Sequence, residues 1–531
     1  MNQIVKIFSW NGNQSSHRLM ILIVFALGLF NFIWGEKVPA GEGLGWDGVY
    51  YAEMVHHLDS MISGGQLSHY YTQRILPSFI VRSLLLLSGM SLDSDVNIIR
   101  GFELYNLSLL ILACYVWQSI ANHFTLSLSG RWIGFSGIFI NFECSKQAFY
   151  YPVLCDVTAL FVAMLLLLFY VKKRPFALLI VTILGSFSWP VVSICGAFLL
   201  LFLKTKLPKH IITPKPSLLS YNILLLIKKY LIEILAITTI CYLLLFQITD
   251  QACTLFEAKL EAFAHTVQSI SDTIDRVLSK NNVCIIKKLM TKVEQILTAL
   301  PSIIGLTIMI TMLISFTEFF RFILVNLRKV QPSLIALATA AIFIPALIVK
   351  LISNPNVPNA SSLLLLIKCI LFPAEGKILL PIITLSVFWG PIVLMLLLYW
   401  RSFCIQARNL GPGVVLVITT SLCLGLVGEP RFLTLGWPFI VLGLVLAMES
   451  STKKPNFKYA FIFLTILYGQ FWIRLNYAPW PGSDGEYLQN FPKQLYFMHY
   501  GLWMSWLTYI LQSIFLILSA LWLRSTVIKI K

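Results

Sequence analysis

Apolar runs separated by short polar segments recur along almost the whole chain of 531 residues. A helix rises about 1.5 Å per residue, so roughly twenty apolar residues cross the ~30 Å hydrocarbon core of a bilayer. The pattern predicts an all-α polytopic integral membrane protein, a bundle of about fourteen transmembrane helices. The predicted spans are residues 19–34, 76–90, 98–120, 153–171, 176–188, 191–203, 230–248, 302–320, 333–351, 378–400, 412–427, 433–448, 458–473 and 502–523.

One stretch between these spans is apolar but short. It covers residues 131–152, and the basic run at 172–174 that follows the next span predicts a cytoplasmic end for the span 153–171. The segment 131–152 is therefore expected either to enter the membrane and return to the outer side or to pack there as a short helix. Later in the chain, Trp189-Pro190 predicts a tight turn between two short spans.

Residues 250–300 carry two apolar stripes at helical spacing, joined by a polar turn. This pattern predicts an amphipathic helical hairpin on the outer face of the membrane. Because Cys253 and Cys284 begin the two antiparallel helices, they lie too far apart for a disulfide, and none is predicted. The hairpin divides the chain into an N-terminal transmembrane catalytic module (1–249), the hairpin itself, and a C-terminal transmembrane module (301–531).

Composition excludes an ordinary soluble domain. Hydrophobic residues make up 58% of the chain and charged residues 12%, with a mean hydropathy of +0.80. A net charge of +17 can indicate a protein that binds nucleic acid. When the N-terminus is placed in the cytoplasm, however, the basic excess falls on the inner loops, as the positive-inside rule requires. The charge therefore predicts cytoplasmic N- and C-termini and no nucleic-acid partner.

Polar residues gather at the predicted outer ends of the spans. A charge at a membrane boundary is costly unless it is paired, and such charges often mark functional sites. The candidates on this basis are Asp47, Glu53, His69, Gln73, Arg74, Lys146, Asp156, Glu375, Lys377, Glu429 and Arg431. Arg82, inside the second span, points to the same side and needs a partner or a polar groove.

Each of the sharper candidates also has an ordinary structural interpretation. Asp47 in "GWDGVYY" is compatible with a loop turn, although its flanking glycines also leave room for a substrate to approach. Arg74 lies just before the predicted helix that Pro77 opens, where it either binds phosphate or extends to lipid headgroups. Asp156 is suited to capping the helix that follows it, and Glu429 with Arg431 to a local ion pair.

Four sequence motifs together resemble the GT-C fold class of polytopic glycosyltransferases, which use polyprenyl-phosphate sugars. They are the acidic motif "GWDGVYY" after the first span, "QRILP" at the next span, "YYPVLCD" ending in an acid, and "EPRFLTLGWP". The last is similar to the H-K-E-x-R-F element of lipid-linked mannosyltransferases, with Val427-Gly428 in place of His-Lys. Many members carry two adjacent acids in the first loop, whereas this chain has Asp47 alone.

The resemblance implies a reaction on the outer face of the membrane between a polyprenyl-phosphate-linked sugar donor and a glycan or glycolipid acceptor. Asp47 would be the general base of an inverting transfer, and the donor phosphate would be bound by Arg74, Arg431 and Lys146. The remaining roles implied are a second acid or substrate positioning by Asp156, Glu429 and Glu53, and sugar contacts by Trp46, Tyr50, Tyr51, His69 and Gln73. The resemblance identifies no cofactor with certainty, and a divalent cation held by Asp47 and Asp156 stays open.

Two other functions remain open at this point. About fourteen spans with many prolines also suit a transporter or flippase of lipid-linked sugars, although no internal repeat is visible. A polysaccharide polymerase or ligase would act on similar lipid carriers. For all three functions we expect a multi-pass protein surrounded by membrane lipid, in the bacterial inner membrane or, in a eukaryote, in the endoplasmic reticulum membrane. The sequence makes no prediction of oligomeric state.

Overall fold

The computed structural model describes residues 14–203, 309, 311–357, 379–425, 429–449, 457–476, 501, 504 and 506–526. Throughout these ranges the regular secondary structure is helical, and no strand occurs in them. The chain forms two compact units, and the described residues belong almost entirely to the first, which comprises 1–214, 312–366 and 381–531. The predicted hairpin (250–300), the span 230–248 and part of the span 302–320 lie outside the described residues.

The helices coincide with the predicted apolar runs in most places. Within the described ranges, four are long and apolar enough to cross a membrane: Ser15–Trp34, Asp95–His123, Pro332–Ile352 and Thr508–Thr526. Eight shorter apolar helices accompany them among the described residues: Ile75–Leu87, Asp156–Val171, Pro175–Gly185, Val192–Leu201, Leu380–Trp389, Pro412–Leu424, Trp437–Glu449 and Phe457–Gly469. These apolar helices indicate an all-α membrane protein.

The remaining helical elements are short or amphipathic. They are Ala40–Gly43, Trp46–Ser63, His69–Thr72, Leu128–Phe139, Glu143–Gln147, Ala148–Tyr150, Phe319–Leu327, Pro391–Leu398, Trp400–Leu410 and Pro430–Leu433. The predicted span 378–400 is two helices, because Gly390 adopts a φ of +76° and Pro391 starts a new helix after it. The predicted turn at Trp189-Pro190 is confirmed, since both residues lie between the helices Pro175–Gly185 and Val192–Leu201.

The core of the first unit is built around the helix Asp95–His123, which packs against Gln14–Trp34 on one side and Asp156–Val171 on another. Its Trp117 is fully buried and lies against Gly134 of the neighbouring helix Leu128–Phe139, where a Cβ atom would overlap the indole ring. The glycine therefore allows the two helices to approach closely. On its other side, Leu128–Phe139 packs against Trp437–Glu449.

Every residue from 133 to 160 is buried, including the irregular stretch between the two helices that flank it. The chain changes direction at Asn141, whose side-chain amide donates to the carbonyl oxygens of Gly137 and Ile138 at 3.1 and 3.0 Å. The Asn141 side-chain oxygen accepts from the N–H of Cys144 at 3.0 Å. One side chain thus satisfies the end of one helix and the start of the next, which lets irregular backbone exist in the interior. The expectation for 131–152 is confirmed to the extent that it packs as short helices; its position relative to a membrane stays a prediction.

Candidate functional site

The first part of the site is the N-terminus of the helix Trp46–Ser63. Gly45 precedes this helix with φ +75° and ψ −168°, a conformation open almost only to glycine. The hydroxyl oxygen of Tyr151 accepts the N–H groups of Asp47 at 2.8 Å and of Gly48 at 3.2 Å. Two of the N–H groups that a helix start leaves unsatisfied are therefore bonded to a buried tyrosine from a distant part of the chain.

This arrangement corrects two interpretations of "GWDGVYY". The motif is the first turn of a helix, and only its first glycine lies outside. The glycines make room for Tyr151: a Cβ on Gly45 would overlap its ring, and one on Gly48 would lie 3.1 Å from it. Burial, together with the negative charge of Asp47, raises the pKa of Tyr151, so its hydroxyl stays protonated near neutral pH.

Asp47 itself lies in this first turn with 34% of its side chain exposed. The positive end of the helix dipole stabilises a carboxylate at this position. Nη2 of Arg431 lies 3.8 Å from Oδ2 of Asp47, which is an ion pair but too long for a hydrogen bond. Asp47 thus lies beside a cation while its oxygens remain open to a further donor.

Arg431 reaches Asp47 because its own backbone is anchored. It lies on the short helix Pro430–Leu433, and the carbonyl oxygen of Pro430 accepts from the indole N–H of buried Trp389 at 2.9 Å. Nε of Arg431 donates to Oε2 of Glu429 at 2.9 Å. The predicted local pair between Glu429 and Arg431 is confirmed, and the structure adds Asp47 to it.

Three carboxylates act on this one guanidinium. Burial alone would lower the pKa of Arg431, but Glu429, Asp156 and Asp47 together raise it well above its usual value. Asp156 is the first residue of its helix; its side chain is almost fully buried, and neither carboxylate oxygen has a hydrogen-bond partner. Asp156 therefore belongs to the same electrostatic cluster without being an exposed reactive group.

Arg74 forms the second cationic part of the site. It occupies the position just before the helix Ile75–Leu87, as its place before Pro77 predicts, without a capping hydrogen bond from its side chain. Its guanidinium lies 3.7 Å from the centre of the Tyr70 ring and 6.0 Å from that of Trp189, and Nη1 donates to the Tyr70 carbonyl at 3.0 Å. It makes no ion pair with a carboxylate within the described part of the chain. Arg74 is thus a partly exposed cation held on aromatic surface.

Tyrosines cover the surface beside Arg74. Tyr50, which is 54% exposed, stacks on Tyr71 with ring centres 4.8 Å apart, and Tyr70 meets Tyr71 edge to face at 5.1 Å. Tyr51 is only 3% exposed; its ring packs inward with its hydroxyl near Cys155. Tyr50 is therefore exposed as a sugar contact requires, whereas Tyr51 acts as packing.

The other predicted site residues lie apart from this cluster. Lys146 is buried and bonds to Glu36 at 2.9 Å, so its charge is already neutralised within the protein. Glu53 is exposed, and His69 is exposed with a ring nitrogen 3.5 Å from the hydroxyl of Ser353. The two half-buried residues of the predicted sugar-contact set are Trp46 and Gln73.

Arg82, which lies inside the second predicted span, has the hydrogen-bond and ion-pair partners that such a position requires. Its guanidinium donates to the carbonyl oxygens of Val55 and His56 at 2.6 and 2.9 Å and to Oδ2 of Asp59 at 2.6 Å. These contacts join the helix Ile75–Leu87 to Trp46–Ser63. Arg82 thus supports the helix that carries Asp47, and does not line the site.

Asp47 does not fit a divalent cation. A metal ion there would face the fixed positive charge of Arg431, which already lies at 3.8 Å and bonds to the neighbouring Glu429. Nor does any group of three or more His, Cys, Asp or Glu side chains in the described ranges come together as metal ligands. The guanidinium of Arg74, which makes no ion pair with a carboxylate among the described residues, is suited to binding an anion.

Tyr151, which positions the site, and Glu36, which binds Lys146, carry no strong signal in the sequence. Tyr151 lies in the quoted motif "YYPVLCD", where three apolar or aromatic neighbours make its hydroxyl inconspicuous. Glu36 follows the first span, and its carboxylate accepts the N–H groups of Leu475 and Asn476 at 2.7 and 3.0 Å in addition to Lys146. Comparison with protein families, curated proteins and solved structures finds no match to this chain.

Proposed function

We propose that this protein is an inverting membrane glycosyltransferase of the GT-C type that uses a polyprenyl-phosphate-linked sugar as donor. The observation that carries the proposal is the ion pair of one partly exposed carboxylate, Asp47, with Arg431. A second guanidinium, that of Arg74, lies on the Tyr70 ring and interacts electrostatically with Asp47. The apolar helices around this cluster suit the prenyl chain of such a donor. A bundle of about fourteen spans, with both termini in the cytoplasm and the site on the outer face, belongs to the same proposal.

In the proposed reaction, Asp47 accepts the proton of an acceptor hydroxyl as that oxygen bonds to the anomeric carbon of the donor sugar. The bond between the anomeric carbon and the phosphate oxygen breaks in the same step, and its electron pair leaves with the polyprenyl phosphate. Attack and departure on opposite sides of the carbon invert the anomeric centre. The acceptor is a sugar hydroxyl of a glycan or glycolipid.

The two arginines have separate tasks in this scheme. Arg74 is partly exposed and makes no ion pair among the described residues, so its guanidinium is available to bind the donor phosphate and to stabilise the charge that develops on it. Arg431 is engaged by Glu429 and lies beside Asp47, so its task is to orient the carboxylate. Tyr50 and Tyr71 provide aromatic surface for the sugar.

The test is the substitution Asp47→Asn, which keeps the size of the side chain and removes its basicity. The full chain in lipid nanodiscs would be given radiolabelled polyprenyl-phosphate hexoses and pentoses, with lipid-linked and free oligosaccharides as acceptors. We expect transfer of label to an acceptor by the unsubstituted chain, and a loss of about 100-fold or more in the variant, the range of general-base catalysis. Arg74→Gln should raise the donor concentration needed for half-maximal rate.

A matched control is Asp93→Asn, the same chemical change at an exposed aspartate in the loop before the helix Asp95–His123. It should leave transfer unchanged. Full transfer by Asp47→Asn in a normally folded chain would overturn the assignment of the base. Movement of the intact donor across a sealed bilayer without any transfer would instead identify a transporter.

A further inference from the structure

Two amphipathic helices outside the candidate site each lead into an apolar helix. Phe319–Leu327 is followed, after a short turn, by Pro332–Ile352, which is long and apolar enough to cross a membrane. Trp400–Leu410 is followed, after Gly411 alone, by the shorter apolar helix Pro412–Leu424. A helix that crosses a bilayer begins at the bilayer surface. Phe319–Leu327 therefore belongs at the level of the lipid headgroups.

The first of these helices has an apolar and a basic side next to each other. Phe320, Leu324 and Leu327 are exposed and recur at spacings of four and three, so they form one apolar stripe. Arg321 is 84% exposed, and Arg328, seven residues later, is also exposed. At 3.6 residues per turn the two arginines lie along one line, about a quarter turn from the apolar stripe. This arrangement is typical of helices that lie in a membrane surface.

Glu318 joins the two amphipathic helices. Its carboxylate lies 3.8 Å from Nη1 of Arg321, on its own helix, and accepts from Nη1 of Arg408, on the other helix, at 3.3 Å. The guanidinium of Arg401, also from the second helix, lies 5.8 Å from the centre of the Phe316 ring, two residues before Glu318. Guanidiniums from both helices are therefore gathered near one carboxylate.

The charge of this region is far from balanced. Residues 316–330 and 400–410 contain five basic residues and one acidic residue, Glu318. Arg328, Lys329 and Arg401 are exposed and make no ion pair with a carboxylate in the part of the chain that the structure describes. An excess of positive charge beside an exposed apolar stripe complements a molecule that carries both a negative charge and an apolar chain.

We propose that this surface binds an anionic phospholipid of the phosphatidylglycerol kind. The basic patch, formed by Arg321, Arg328, Lys329 and Arg401, binds the phosphate, since guanidiniums bond phosphate oxygens in pairs. The acyl chains lie on the apolar stripe. A zwitterionic phospholipid is a poorer ligand, because it brings a second positive charge to the patch. A water-soluble phosphate would leave the apolar stripe uncovered.

The lipid would hold the two amphipathic helices together at the membrane surface, in addition to Glu318. Basic residues at the ends of spans also have an ordinary explanation, the positive-inside rule, which requires positive charge but no particular site. The two explanations differ in whether the position of the charge matters. The inference does not depend on the proposed function and is tested without any activity assay.

The experiment counts the lipids that the full chain retains. The chain would be placed in nanodiscs with equal amounts of phosphatidylcholine and phosphatidylglycerol, released, and analysed by native mass spectrometry. We expect preferential retention of phosphatidylglycerol, and a thermal midpoint that rises with its share of the nanodisc lipid. Equal retention of the two lipids would overturn the proposal and would favour an acidic protein as the partner of this surface.

Charge substitutions test the position of the patch. Arg321→Gln should weaken retention of phosphatidylglycerol about fivefold, the effect of one basic residue near an anionic membrane surface. Adding Arg328→Gln should weaken it about 25-fold in total. Arg18→Gln is the matched control, the same change at an exposed arginine of the helix Gln14–Trp34, and should leave retention unchanged. An equal loss in the control would show that any positive charge is sufficient, which refutes a defined site.

Two further variants test the remaining parts of the surface. Leu324→Ser keeps every charge but interrupts the apolar stripe, so it should also weaken retention, and soluble glycerol phosphate should not displace the lipid. Displacement by glycerol phosphate, or full retention in Leu324→Ser, would refute a role for the acyl chains. Glu318→Gln removes the single negative charge of the two segments and should tighten retention. Weaker retention in Glu318→Gln would contradict binding through the basic patch.

Discussion

Replacing Gly45 by alanine is expected to lower the free energy of unfolding by about 2–6 kcal/mol. The backbone there has φ +75° and ψ −168°, and a side chain forced into such a region costs about 1–3 kcal/mol. The new Cβ atom would also overlap the buried ring of Tyr151. If the helix start moves away to relieve this overlap, two hydrogen bonds to the Tyr151 hydroxyl are lost, at about 0.5–1.5 kcal/mol each.

Two further variants separate these contributions. Gly89→Ala places alanine at φ +69° with no atom within 4 Å of the added Cβ, so it should cost only about 1 kcal/mol of backbone strain. Tyr151→Phe removes the hydroxyl alone and should cost about 1–3 kcal/mol for its two bonds. All three would be compared by equilibrium unfolding of the full chain in mixed detergent micelles. If Gly45→Ala costs no more than Gly89→Ala, contact with Tyr151 is not what requires glycine here.

Three further predictions concern the same region. Arg431→Lys keeps the positive charge but loses the planar guanidinium that bonds to Glu429. The rate of sugar transfer should therefore fall nearly as far as in Arg431→Gln. A wild-type rate in the lysine variant would show that the charge alone is sufficient. Lys146→Met should destabilise the chain by about 3–5 kcal/mol because Glu36 loses its cation, and adding Glu36→Met should recover part of that loss in thermal unfolding. Tyr151 has a raised pKa in the folded state, so the folded chain holds that proton more tightly than the unfolded one. The free energy of unfolding should therefore fall as pH rises above about 10, less steeply in Tyr151→Phe.

Much of the helical architecture follows from the spacing of apolar residues. The predicted span 98–120 lies within the helix Asp95–His123, and the helix at 75–87 begins at the residue after Arg74, as Pro77 suggests. The break at Gly390 was missed because the apolar run continues through it without a polar residue. The spacing of apolar residues indicates which positions are buried. It does not reveal a single φ angle, such as that of Gly390, at which one helix ends and another begins.

The site was less predictable, for a physical reason. The pair Glu429–Arg431 is local, so sequence spacing alone predicts it, whereas the contact of Arg431 with Asp47 depends on the packing of helices far apart in the chain. Asp47 was expected in a loop because Gly45 and Gly48 are typical turn residues. The helix begins there because a distant tyrosine supplies its cap. Lys146 was predicted to bind the donor phosphate. Its partner in the structure, Glu36, is distant in sequence, so no local pattern reveals this ion pair.

The hydrogen bonds of Glu36 connect segments of the chain that are synthesised at different times. Its carboxylate joins Lys146, from the first third of the chain, to the backbone of Leu475 and Asn476, close to the end. The ribosome delivers these segments one after another, so Asp47 and Arg74 are synthesised long before Arg431 exists to join them. A nascent or truncated chain therefore holds a carboxylate without the guanidinium that orients it. The charge cluster is complete only once Glu429 and Arg431 have been synthesised.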